Sequence, residues 1–131
     1  MMKNIPTYEQ FINEYKEFRS PLQDTLMKKY GNVIEKIRII EDDRTNGLPG
    51  LEVNMLIIDP NKRGLGFGRS IMNDIIEYTD TNKKIAHLTP TNEFDSDLKK
   101  LTDFYKSLGF VKNSGSNKDY RFTDTMIRLP K

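Results

Sequence analysis

Apolar positions recur along this chain with two periods, and the switches between them mark out its elements. Tyr8, Phe11, Ile12, Tyr15 and Phe18 fall at helical spacing, which predicts an amphipathic helix over residues 8–19. Thr7 and Gln10 form a capping box at its start. Ser20-Pro21-Leu22-Gln23 repeats the device, with Ser20 as cap, Pro21 at the first helical position and Gln23 reaching back. Leu22, Leu26, Met27 and Tyr30 make the buried stripe of that second helix, and Gly31 ends it. Val33 to Ile40 is rich in β-branched residues and reads as a strand with Val33, Ile37 and Ile39 on one face. Glu41 to Gly50 carries the turn pairs Asn46-Gly47 and Pro49-Gly50 and reads as a mobile connection.

Leu51 to Ile58 is the next strand. Simple alternation puts Leu51, Val53, Met55 and Ile57 on one face and Glu52, Asn54, Leu56 and Ile58 on the other. Its second half is apolar on both faces, as in a central strand. Ile71, Met72, Ile75 and Ile76 then follow at helical spacing within Ser70 to Tyr78, and Ile85 to Thr89 is a short strand. Strand, helix and strand at this spacing make a βαβ unit, so the two strands should be parallel, with a right-handed crossover. Residues 90–95 read as a loop, with Asp95 or Ser96 capping a helix that carries Leu98, Leu101, Phe104, Tyr105 and Leu108. Gly109 stops it. Phe110 to Lys112 begins a strand, Asn113 to Tyr120 is a polar loop, and Thr125 to Leu129 is the last strand. With no repeat and no linker, residues 1–131 are expected to form one α/β domain.

Between the central strand and its helix lies Asp59-Pro60-Asn61-Lys62-Arg63-Gly64-Leu65-Gly66-Phe67-Gly68-Arg69. Unpaired backbone N–H groups and the helix dipole meet at such a turn, and glycines let an anion come close to the backbone. The dinucleotide pattern G-x-G-x-x-G fails in both registers, because Arg69 or Ile71 stands where the third glycine belongs. The P-loop pattern fails because Lys62 precedes the glycines. The blander reading is a tight turn and nothing more.

Composition narrows the chemistry further. Cysteine is absent, which excludes thiolate nucleophiles, disulfides and cysteine-based metal sites, and fits a cytoplasmic protein. A single histidine, His87, excludes any two-histidine metal site, and no metal is expected. The net charge of +2 is spread among mixed signs, without the basic stripe of a nucleic-acid binder. No apolar run is long enough for a membrane span, and the N-terminus lacks a secretory core.

Arg63-Gly64-Leu65-Gly66-Phe67-Gly68 resembles the R/Q-x-x-G-x-G/A turn of the GNAT acetyltransferase superfamily. Ile57-Ile58-Asp59-Pro60 resembles the family's strand end, and Phe104-Tyr105-Lys106-Ser107-Leu108-Gly109-Phe110 its later FYxxLGF motif. The resemblance covers Leu51 to Leu129. The loop of residues 90–97, the segment near 117–119 and the ending Met126 to Pro130 are also similar to short phage-type members. It implies a mixed sheet with helices on both faces and a splayed parallel central strand pair. It also implies acetyl-CoA as co-substrate, with its pyrophosphate on Arg63, Gly64, Leu65, Gly66, Phe67, Gly68, Arg69 and Ser70. Met55, Leu56, Ile57 and Ile58 would supply backbone groups to the pantetheine arm and the thioester. Tyr105 matches the family's general acid, and Glu52 lies where some members place a catalytic glutamate.

The implied reaction is direct transfer of an acetyl group to a primary amine in a ternary complex, the protein being a monomer or homodimer. The alternatives are a coenzyme A-binding module without catalysis and a protein-interaction domain. Structural roles compete at each site residue. Tyr105 falls on an apolar helix face, Glu52 reads equally as a strand-end carboxylate, and His87 reads as a strand histidine with a backbone partner. Lys83-Lys84 and Lys99-Lys100 read as solvated faces. Glu41, Asp42 and Asp43 offer negative charge to a cationic acceptor.

Overall fold

A computed structural model describes residues 19–42, 47–91 and 97–131. The helix expected over residues 8–19 and the cap expected at Asp95 or Ser96 therefore lie outside the described residues, apart from Arg19. The described chain runs α1 (Pro21–Tyr30), β1 (Ile34–Asp42), β2 (Gly50–Ile58), a 3-10 turn (Pro60–Lys62), α2 (Phe67–Thr81), β3 (Ile85–Leu88), α3 (Leu98–Ser107), β4 (Val111–Lys112), a second 3-10 turn (Gly115–Asn117) and β5 (Met126–Arg128). The sheet is mixed, in the order β1-β2-β3-β5-β4. Among the described strands only the central pair, β2 and β3, is parallel; β1–β2, β3–β5 and β5–β4 are antiparallel.

α1 starts as its sequence demands: the Ser20 hydroxyl accepts from the Leu22 N–H, and Pro21 fills the first position. Gln23 does not close a capping box. Its side-chain oxygen accepts from the Ile39 N–H at 2.8 Å, while the Ser20 N–H donates to the Ile39 carbonyl, so the helix start is tied to β1 instead. Met27 is 39% exposed and leaves the stripe to Leu22, Leu26 and the partly buried Tyr30. Gly31 ends the helix in an ordinary right-handed conformation. Asp97 caps α3, accepting from the N–H groups of Lys99 and Lys100.

Two irregularities change which residues face the core. Glu35 is an extra residue of β1, between the pairs Ile34–Ile58 and Lys36–Ile57; Asn54 is an extra residue of β2, between Arg38–Met55 and Ile39–Val53. Each bulge reverses the alternation beyond it. Leu51 and Val53 belong to the main core cluster, but after Asn54 it is Leu56 and Ile58, not Met55 and Ile57, that pack against it. On β1 the same effect brings in Ile34 with Ile37 and Ile39. Ile71, Met72 and Ile75 of α2 are fully buried in this cluster, and Phe104, Tyr105 and Leu108 pack against it from the other helical region.

Lys84 is not solvated. Its ammonium reaches the Glu41 carboxylate at 3.0 Å, with both side chains 9% exposed. Tyr78 donates to the same carboxylate at 3.0 Å, and the Ser20 hydroxyl also donates to it. Glu41 thus joins α1, α2 and the start of β3, and is not a surface charge for a cationic acceptor. A second buried cation, Arg128, reaches Asp80 at 2.6 Å and the Leu108 carbonyl at 3.0 Å. Removing one partner of a buried pair strands the other's charge. Lys84→Met should therefore lower unfolding free energy by about 3 kcal/mol, measured by urea denaturation. A change within about 0.5 kcal/mol, the range of surface substitutions, would show that Glu41 does not depend on this ammonium.

Candidate active site

β2 and β3 pair over only three residues, Gly50–Ile85, Leu51–Ala86 and Glu52–His87. Beyond Glu52 the strands part. β2 continues to Ile58 with β1 as its partner, whereas β3 ends at Leu88 ahead of Pro90. The gap is a cleft of about 410 Å³. Val53 to Ile58 form one wall, Leu88 to Thr91 another, and Leu101, Phe104 and Tyr105 a third; Arg63, Gly68 and Met72 lie at the end of β2. On the β3 side, Val53 to Ile58 have no strand partner among the described residues. Their backbone groups on that side therefore face the cleft.

The glycine turn leaves the start of α2 open. Gly64 and Gly66 take φ +78° and +86°, a region other residues rarely enter. Gly66 is the N-cap of α2, and no side chain caps that end. The first N–H groups of a helix have no intrahelical acceptor, so those of Phe67, Gly68 and Arg69 are available to a ligand. A Cβ built on Gly64, Gly66 or Gly68 meets nothing within 4 Å, so the space above the turn is open. The Arg63 Nε donates to the Ile58 carbonyl at 3.1 Å, bracing the turn against the end of β2. Arg69 donates to the Ser107 hydroxyl at 3.2 Å and lies 5.2 Å from the Phe104 ring centre, tying the turn to α3.

Tyr105 lines the cleft opposite β2, set edge-on to Phe104 and Phe110. Among the described residues its hydroxyl makes no hydrogen bond, and burial pushes the phenol above its ordinary range. It therefore stays protonated through neutral and mildly alkaline pH.

Glu52 does not line the cleft. It sits one residue before the cleft wall, half-buried in a cluster that its sequence context did not reveal. The His87 Nδ1 is 2.6 Å from Asp124 Oδ2, so its partner is a carboxylate and not the backbone. Thr89 donates to Asp124 Oδ1 at 2.6 Å, and Asn54 donates to Glu52 at 3.1 Å. The Glu52 carboxyl lies within 4.8 Å of both His87 and Asp124. The ring of His87 stacks on Phe122 with centres 4.1 Å apart, and both rings press on Gly50, where a Cβ would stand 2.6 Å from Phe122 and 2.9 Å from His87 Nε2. Burial, then the neighbouring Asp124, pushes Glu52 up to about 7. Asp124 is held down at about 2: burial opposes that, but the hydrogen bonds from His87, Glu52 and Thr89 outweigh it. One carboxylate or imidazole atom from each of Glu52, His87 and Asp124 lies within 4.8 Å of the others. A second cavity, of about 450 Å³, meets the cleft at Thr89 and Pro90 and is also lined by Leu98, Thr102, Asn113 and Asp124.

Comparison with known proteins fits this geometry. The family model described as an acetyltransferase (GNAT) domain matches residues 23–112. The chain belongs to the GNAT acetyltransferase family. No curated protein matches it. The fold of this GNAT domain is also that of Naa50 from Arabidopsis thaliana, solved in complex with the bisubstrate analogue CoA-Ac-MVNAL. The two share 18% identity over 72% of this chain and 61% of that one, at a TM-score of 0.51. The chain thus spans about three fifths of the length of that relative. A mutant AtaT toxin bound to the C-terminus of the antitoxin AtaR is 15% identical over 98% of this chain and 89% of its own, at a TM-score of 0.50. No helix among the described residues is long and apolar enough to cross a membrane.

The raised Glu52 carboxyl has a consequence for stability. Its ordinary value is 4.5 and its folded value about 7. Between these the folded state holds a proton that the unfolded state has lost, so stability from this group is present below about pH 4.5 and falls as pH rises toward 7. Glu52→Gln keeps a donor for Asp124 but removes the titration. Relative to the parent, the variant should gain stability from pH 5 to about pH 7 and level off by pH 8 in parallel urea titrations. A constant difference across that range would mean that Glu52 is not raised.

Proposed function

We propose that this GNAT domain is an acetyl-CoA-dependent N-acetyltransferase acting on a primary amine. The observation that carries the reading is the cleft where β2 leaves β3, with an open glycine cradle at its end. The residues present fit coenzyme A. The N–H groups of Phe67, Gly68 and Arg69, with Gly64, Leu65, Gly66 and Ser70 around them, would take the pyrophosphate, and Arg63 adds charge beside it. The free backbone edge of Met55, Leu56, Ile57 and Ile58 would hold the amide-bearing arm, as an added strand is held, and donate to the thioester oxygen. Acetyl-CoA supplies the activated acyl group. The second cavity, joined to the cleft at Thr89 and Pro90, gives the acceptor room.

Each protein group then has one task. As the acceptor nitrogen bonds to the acetyl carbon and the carbon–sulfur bond breaks, the proton that the amine loses passes through water to Glu52, one residue behind the cleft wall. Tyr105 gives its hydroxyl proton to the departing sulfur. A carboxyl near 7 is divided between acid and base at neutral pH, which suits a general base. The family match supports this reading, and the low identity to the solved relatives leaves the acceptor open.

Two experiments test the proposal. Calorimetry should show acetyl-CoA binding with micromolar or tighter affinity. Gly68→Ala should weaken it about tenfold, because the added methyl enters the cradle while meeting no protein atom. No heat, together with no thermal shift at millimolar acetyl-CoA, would defeat the proposal. With a panel of primary amines, thiol release should fall about 100-fold in Tyr105→Phe while cofactor affinity is retained. An unchanged rate would remove Tyr105 from the chemistry. Binding without thiol release for any amine would favour a non-catalytic coenzyme A-binding module.

A further inference from the structure

The proposed base is backed by groups that neither strand pairing nor cofactor binding requires. The parallel register sets Glu52 beside His87, and the antiparallel register sets His87 beside Ile127, so the turn entering β5 delivers Asp124 to both. Three separate elements thus converge on one carboxyl. Both oxygens of Asp124 are engaged, Oδ2 by the His87 Nδ1 and Oδ1 by the Thr89 hydroxyl, each at 2.6 Å. Thr89 is itself fixed, accepting from the Thr125 N–H at 3.1 Å. The His87 and Asp124 side chains are only 12% and 11% exposed. An imidazole–carboxylate pair this enclosed costs desolvation that an apolar pair would avoid.

We propose that Asp124 and His87 are positioning residues for Glu52, a carboxylate–imidazole pair built behind the base. The inference rests on the reading of Glu52 as the proton acceptor. When Glu52 takes a proton from the amine, an O–H bond forms on Glu52 and an N–H bond breaks on the acceptor. The new O–H donates to Asp124, which holds it in one orientation until the base is reset. No proton need pass to His87. Its part is to hold Asp124 through the Nδ1 hydrogen bond, and so to limit how strongly that carboxylate draws a proton onto Glu52.

Charged groups of several elements surround the network. From β1, Arg38 reaches the Asn54 amide oxygen at 3.5 Å, and Asn54 in turn bonds Glu52. From β3 comes His87. From the segment before β5 come Asp124 and, beyond Phe122, the Asp119–Arg121 ion pair at 2.8 Å, with Arg121 lying 5.1 Å from the Phe122 ring centre. Among the described residues of the network, only Asp124 places an anion against Glu52. Removing that anion and removing its imidazole partner should therefore act in opposite directions.

The test is a titration of carbon-13-labelled side-chain carboxyls by NMR in the full chain, with the Glu52 signal assigned by its loss in Glu52→Gln. In Asp124→Asn the Glu52 midpoint should fall from near 7 by about one pH unit or more. In His87→Gln it should rise. Thr89→Val, a milder change at the other oxygen of Asp124, should also raise it, and serves if either of the first two variants does not fold. A midpoint that is unmoved, or that moves the same way in Asp124→Asn and in Thr89→Val, overturns the proposal. The titration uses neither cofactor nor acceptor. Failure of the acetyltransferase reading would instead appear as absent acetyl-CoA binding, with the midpoints moving as described.

Discussion

β2 and β3 hold together for three residue pairs and then separate, and the proposed function depends on that separation. The pairs Gly50–Ile85, Leu51–Ala86 and Glu52–His87 lock the strands where both are buried. Immediately afterwards Asn54 bulges β2 toward its β1 partner's register, and β3 ends ahead of Pro90. A parallel pair that continued to Ile58 would have satisfied its own backbone and left no cleft. By parting, it exposes a row of backbone groups beside a helix N-terminus, a combination that suits a ligand with both amides and phosphates.

The same geometry keeps the proposed binding and proton-transfer functions apart. Residues after the bulge line the cleft, whereas Glu52, just before it, stays in the paired region with His87 and Asp124. Half-burial and an anionic neighbour there hold its carboxyl near neutrality, a state that would be hard to maintain in an open cleft exposed to water. Tyr105, on the opposite wall, is pushed the same way by burial alone. The two proposed proton-transfer groups therefore reach their states through different surroundings: one through a charge network, the other through an apolar one.

Much of this was legible in the sequence. The apolar run ending at Ile58, the glycines at 64, 66 and 68 and the FYxxLGF motif at 104–110 are local signals, and they mark one wall of the cleft, the turn at its end and its far wall. What was not legible depends on register. Alternation cannot show that Asn54 is an extra residue, so Met55 and Ile57 were expected where Leu56 and Ile58 stand. His87 and Asp124 are 37 positions apart and meet only because β3 and β5 are antiparallel neighbours. Lys84 and Arg128 look like surface cations in isolation, and their burial depends on carboxylates at 41 and 80 supplied by other elements. A carboxyl-bearing turn just before a strand that follows a long polar loop was the one available hint of Asp124.

The central claim is that the gap beside β2 and the glycine turn form one continuous site for acetyl-CoA. Mapping amide chemical-shift changes on adding acetyl-CoA tests it most directly. The account predicts the largest changes at Met55 to Ile58 and at Gly64 to Ser70, saturating together at one ligand per chain. Changes confined to other surfaces, or two groups saturating at different concentrations, would contradict it.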